Sequence, residues 1–380
     1  MSDNKQPPIY FYLPSYNQFE RDLPRSPETS WEWMFERGKP EYNLSDGEYA
    51  WSLQTFLQLQ ARSFPCQITA TMPEKGIVIT HRINLPLNFK PGPELLLICL
   101  QADKAPHPFA QLSVVLTHQA LHTQYSFLGD IHAPKLRSKS SQPLEGYYFM
   151  RHWPIPGLIP RNPARGDRFE NVVFLGVGRS LAPELKTDFW KQSIKELGLN
   201  WSFRGPGKRG EGWKDFGDID VVFAVRRFEC FDNFAWKPAT KLFNAWHAGV
   251  PAILGWESAY QAERKSDLDY LEVKTVEEAL AALKRLRDDV PFRTSIVENG
   301  RQRAHETQPE ILAQQWIEFL TEVAVPAYDR WCSNSVLHQK RFFLRRQTAL
   351  FEDGLQRFFG FKIEGLQKRL NALGKFFDVQ

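Results

Sequence analysis

The sequence predicts an α/β protein of two domains, the second built on a parallel sheet with helices on both faces. Three observations carry this. The chain has 380 residues, too many for one ordinary small domain. From residue 171 onward, short apolar runs alternate with helix-length amphipathic stretches. Between the halves lies "RHWPIPGLIPRNPARGDRF" (151–169), whose four prolines and scarcity of helix formers read as an interdomain linker. The division expected is 1–160, 161–325 and a C-terminal segment 326–380.

In chain order, "IYFYLP" (9–14) reads as a first strand and 15–46, rich in Pro, Trp, Glu and Arg, as an irregular excursion. "DGEYAWSLQTFLQLQARSF" carries Trp51, Phe56 and Leu57 at helical spacing. Then "CQITATM", "GIVIT", "ELLLICL", "LSVVLT" and "YYFM" read as strands between Pro/Gly turns. In the second half "NVVFLG", "NWSFRG", "DVVFAV", "VPAIL" and "YLEV" are strands. "TDFWKQSIKELG" and "PATKLFNAWHAG" are helices closed by Gly198 and Gly249, which suit the left-handed position past a helix end. "TVEEALAALKRLRDD" opens on a capping box, Thr275 with Glu278. Helices are expected over 292–350.

Composition excludes several classes. Apolar residues are 42% and charged residues 24%, as in globular proteins, and a net charge of +4 demands no polyanionic partner, so no nucleic acid is expected. Cys66, Cys99, Cys230 and Cys332 share no CxxC spacing, which points to a reducing compartment without structural zinc. The polar start "MSDNKQPP" has no signal core, and no apolar run reaches the roughly 18 residues that span a bilayer. A cytoplasmic protein is expected, at most peripheral at the inner membrane surface. From Lys340 to Gln380 nine Lys/Arg face four Asp/Glu, so the basic excess sits in a Phe/Leu-rich tail suited to anionic lipid.

Ligands in open α/β sheets bind beyond the strands' carboxyl ends. The residues placed there are His81, Arg82, His118, Gln119, Arg151 and His152 in the first half, and Arg179, Arg204, Arg226 and Arg227 in the second. One rim offers histidines for proton chemistry, the other arginines for an anion. The helix in "PATKLFNAWHAG" adds Thr240, Lys241 and Asn244 near its N-terminus, with no acid in the first turn. Free N–H groups and the dipole favour an anion there, and Arg179, Arg226 and Lys241 can converge on a diphosphate. "DID" (218–220) has a metal-binding form but precedes its strand, at the wrong edge of the sheet, and no metal is expected.

"VVFLGVGRSLAPEL" and "PATKLFNAWHAGVPAIL" resemble the donor-binding segments of GT-B glycosyltransferases, of the bacterial group 1/family 4 type. The resemblance covers roughly 160–325. It implies two Rossmann-like domains facing across a cleft, with C-terminal helices crossing back to the first domain. It implies that Lys241 and Arg179 meet the phosphates of a nucleotide-diphosphate sugar, with no cofactor besides that donor. The family places a glutamate on the ribose where this chain has Asn244, and retaining members place another where it has Trp236. Glu257 is a substitute donor contact. The implied activity is sugar transfer to a glycan or lipid-linked acceptor, with His81, then His118, as candidate base. A non-catalytic sugar-nucleotide or polysaccharide-binding protein and a sugar-nucleotide epimerase are the alternatives.

Overall fold

A computed structural model describes residues 6–42, 45–102, 104–128, 136–208, 210–228 and 234–377; the side chains of Arg179 and of 360–377 lie outside the description, as does Cys230. The first half yields strands β1 (Ile9–Tyr12), β2 (Gln67–Thr69), β3 (Gly76–His81), β4 (Leu95–Leu100), β5 (Leu112–Val115), β6 (Thr123–Tyr125), β7 (Leu136–Lys139) and β8 (Tyr147–Phe149). Six of them form one parallel sheet in the order β2-β1-β3-β4-β5-β8. Every residue of β3, β4 and β5 is buried, which is why those segments are continuous apolar runs rather than alternating ones. The β6–β7 antiparallel pair has no counterpart in the sequence reading; its strands are short and half polar.

The second half forms a five-stranded parallel sheet from β9 (Asn171–Leu175), β10 (Asn200–Arg204), β11 (Val221–Ala224), β12 (Ala252–Leu254) and β13 (Leu271–Glu272). Its order is β10-β9-β11-β12-β13, so the winding reverses between β9 and β11. Helices Asp188–Glu196 and Thr240–Ala248 return the chain between strands, and Val276–Asp288 follows the last one. Gly249 takes φ +69° and closes the Thr240–Ala248 helix with bonds to the Ala245 and Trp246 carbonyls. The Thr275 hydroxyl accepts from the Glu278 N–H at 3.1 Å, while Glu278 accepts from Lys274 N–H at 2.7 Å, one residue further back than in a standard box.

After Val290–Ala304 the chain leaves the second core. Leu312, Trp316, Phe319 and Trp331, on helices Pro309–Glu318 and Val325–Ser333 and the π-helical turn between them, are buried in the first core. Two Rossmann-like units with C-terminal helices crossing back is the GT-B architecture. The two crossings are tied together: Arg151 meets Glu263 at 3.0 Å and Glu306 at 3.8 Å, and Arg303 joins Glu306 and Asp269. Among the described residues no helix is long and apolar enough to cross a membrane.

Candidate functional site

A cleft of about 390 Å³ lies between the carboxyl edges of the two sheets. On the second unit it is lined by Leu175, Gly176 and Val177 after β9 and by Arg226 after β11, the point where the strand order reverses. Lys237, Thr240, Lys241 and Asn244 complete that wall from the Thr240–Ala248 helix and its approach.

This wall is cationic and tense. Burial pushes the Lys241 ammonium down to about 7, and Arg226 and Lys237 add repulsion that Glu257 only partly offsets. The ammonium lies 5.9 Å from the centre of the Phe174 ring. The Thr240 hydroxyl is buried, with no hydrogen-bond partner among the described residues. An anion with several acceptor oxygens relieves both conditions: it offsets the crowded charge and accepts the hydroxyl.

Glu257, expected to contact a donor directly, instead sits 2% exposed behind Arg226 and accepts from its Nε at 2.8 Å. It orients the arginine. Asn244 Oδ1 accepts from the Ile155 N–H at 3.0 Å, so it binds the linker. Arg204 does not line the cleft; it forms a two-point pair with Asp218, Nη1 to Oδ1 at 2.8 Å. The Arg179 backbone follows β9, and its side chain lies outside the described residues.

"DID" is explained by the same ion pairs. Asp220 accepts from Arg161, Arg165 and the backbone N–H groups of Glu170 and Asn171. Burial alone would raise its pKa; those donors outweigh it and the pKa is lowered. Both carboxylates are occupied by arginines, and they anchor the linker and the start of the sheet.

The opposite wall comes from an unexpected place. Trp31 and Met34 belong to the excursion after β1, and Tyr49, Ala50 and Gln54 to the helical stretch that follows it; this insertion between β1 and β2 contains the Pro27–Trp33 helix and two π-helical turns. His152, Trp153 and Ile155 follow β8. The insertion covers β3: a Cβ on Gly47 would lie 2.6 Å from the His81 ring, so His81 is buried beneath it and does not line the cleft. His118 lies in a narrow crevice with Phe243 and Glu263, its ring 4.0 Å from that of Phe149. Burial lowers the His118 pKa, Glu263 opposing and Arg151 and His122 assisting.

His152 is the rim histidine that lines the cleft. Its ring stacks on Trp51 at 5.2 Å, 8° from parallel, and Nδ1 lies 2.8 Å from the Trp153 carbonyl oxygen. A carbonyl only accepts, so Nδ1 carries the proton and Nε2 is the basic nitrogen of the neutral ring. Gln54 is 1% exposed; its Oε1 accepts from Ser30 at 3.0 Å and its Nε2 has no partner among the described residues. The rim rule finds His152, whereas Trp31, Tyr49 and Gln54 follow no strand directly and left no positional signal.

The walls touch beside the cleft. Trp31 Nε1 donates to the Gly210 carbonyl at 3.0 Å, Phe35 meets Trp213 edge-on at 6.0 Å, and Lys214 pairs with Glu32. Gly210 has φ +73°, and a Cβ there would lie 2.4 Å from Phe35.

No family model matches the chain, and no curated protein matches it. Solved structures do. Anabaena HepE in complex with UDP and glucose shares 12% identity over 83% of this chain and 100% of its own, with a TM-score of 0.43. Sucrose-phosphate synthase from Thermosynechococcus elongatus shares 12% over 66% of this chain and 74% of its own, also at 0.43. The UDP-forming α,α-trehalose-phosphate synthase from Burkholderia vietnamiensis shares 11% over 82% and 87%, at 0.39.

Proposed function

We propose that the protein is a glycosyltransferase that takes a sugar from a nucleotide-diphosphate sugar and places it on a hydroxyl of a glycan or lipid-linked acceptor, without a metal ion. The observation that supports this most is the crowded cationic wall, Arg226, Lys237 and Lys241 around the Thr240 hydroxyl, which has no partner among the described residues, at the switch point of a parallel sheet. A diphosphate leaving group needs such a wall. In the transfer, the acceptor oxygen forms a bond to the anomeric carbon and the bond from that carbon to the phosphate oxygen breaks. The diphosphate departs with the electron pair, stabilised by the cations. The acceptor proton goes to a base in an inverting reaction. We place that base at His152, the rim histidine of the cleft, in preference to His81 and His118. The aromatic wall and the Gln54 amide suit a hydroxyl-bearing ring.

A binding protein without catalysis is the second reading. It is favoured by Trp236, fully buried against Tyr125, and by Asn244, occupied by the linker: neither position supplies an acid. Thermal shifts with UDP, GDP, ADP and TDP identify the base, because a ligand held by the native state alone raises the melting temperature. Incubation of the matching nucleotide sugar with cell extract then separates the readings. Release of free nucleoside diphosphate is expected. Binding without release assigns the protein to the second reading, and no shift with any of the four nucleotides removes the donor site.

A further inference from the structure

The last helix, Val336–Phe377, has two faces. The inner one is held on the first unit. Phe342 and Phe343 pack on Trp331, Gln339 donates to the Pro93 and Trp331 carbonyls, and buried Asp353 accepts from Phe127 N–H and from Arg137. The outer one is apolar and exposed. Leu337, Leu344, Phe351 and Phe358 are spaced by seven residues, close to two helical turns, and so fall in one line; Leu355 and Phe359 lie beside it. All six are exposed, Leu344 at 65% and Phe351 at 66%.

Three cations flank this line. Lys340, Arg341 and Arg345 are exposed, and none of them forms an ion pair with a described residue. Of the acids of the same stretch, Asp353 is buried against Arg137, and the half-exposed Glu352 is also paired with Arg137. A second copy packed on this stripe in parallel would set like cations against each other. A surface of anionic lipid complements both features, receiving the apolar side chains and pairing the cations.

We propose that the outer face of this helix, from Leu337 to Phe359, docks the protein on an anionic bilayer surface, lying in its plane. The docking is independent of the nucleotide site. Because the inner face is part of the first unit's packing, removing the tail is the wrong test; single outward residues are the right one.

The full chain is sedimented with vesicles of phosphatidylcholine, alone and mixed with phosphatidylglycerol. Binding to the mixed vesicles is expected to exceed binding to the neutral ones by about tenfold or more, and to weaken in high salt without vanishing. Phe351→Glu should remove most of the binding, and the Arg341→Glu, Arg345→Glu pair should lower it at least about tenfold. Both should leave nucleotide thermal shifts unchanged, so failure of docking is distinct from failure of the donor site. Should Phe351→Glu not fold, the arginine pair decides. Equal binding to both vesicles, or none, overturns the proposal. So does a concentration-dependent dimer in sedimentation velocity that ignores vesicles and is dissolved by Phe351→Glu, for then the stripe joins two copies.

Discussion

The two walls of the cleft are made in opposite ways. On the second unit each functional side chain stands within a few residues of a strand end or at a helix start, and its supports are near in sequence: Arg226 and Glu257 are separated by 31 positions. On the first unit the wall is an insertion whose aromatic side chains are fixed by partners far along the chain. Trp51 packs on Trp316, and Trp31 is bonded to Gly210, 179 positions away. A charged wall can thus be built by secondary structure alone, while an aromatic wall needs the whole fold to close before it exists.

The sharpest test of this contrast is His152→Ala. It should leave nucleotide affinity unchanged and reduce turnover by about 10²–10⁴ if the histidine is the base. The same loss in His81→Ala, with full activity in His152→Ala, would move the chemistry beneath the insertion. Next is Trp316→Ala. Truncating a buried tryptophan should cost about 3–5 kcal/mol in denaturant unfolding. It should also loosen the Trp51–His152 stack, so that turnover falls while nucleotide affinity holds. Equal damage to both would mean that the walls are not independently built.

Lys241→Ala should weaken binding of the matching nucleoside diphosphate by about 10–150-fold, the loss of one charge-assisted contact worth roughly 1.5–3 kcal/mol. With the ammonium held near 7, only the charged form serves a diphosphate, so affinity should fall as pH rises through 7 and above. Calorimetry in two buffers should show proton uptake at pH above 7, absent in the variant. Stability runs the other way. The native state binds fewer protons than the unfolded chain between about 7 and 10.5, so this group's contribution is fully present above 10.5 and lost as pH falls through 7. The smallest effect is expected at Asp218→Ala, about 0–1 kcal/mol for a half-exposed surface pair, with transfer unaffected. Loss of a divalent-ion-dependent activity in that variant would restore "DID" as a metal site.

The same contrast sets what the sequence could disclose. The second unit was legible because strand, turn and helix recur at short range: Gly198 at φ +70° and Gly249 at φ +69° close their helices where the residue type alone predicted. In the cationic wall, Arg226 followed from the strand-end rule and Lys241 from the helix start, although the rule could not see that Arg204 would meet Asp218 or that Glu257 would turn inward to Arg226. The first unit's strands were legible as buried runs. Its wall was not, since nothing local says that Gly47 will lie over His81 and hide it. Rim histidines are equivalent in sequence, and only the path of an insertion separates them.

One feature of the backbone bears on timing. The chain passes between the units twice, and Arg151 fastens both passages to one cluster of carboxylates. Two passages pinned at one spot hold the units together along one line. Against that line the Trp31–Gly210 contact is a clasp: one neutral hydrogen bond, an edge-on ring pair and an exposed ion pair. A clasp of this kind releases long before such a line does. On the proposed function, release of a spent nucleotide would depend on this contact between an indole and a glycine, which lies apart from the cationic wall.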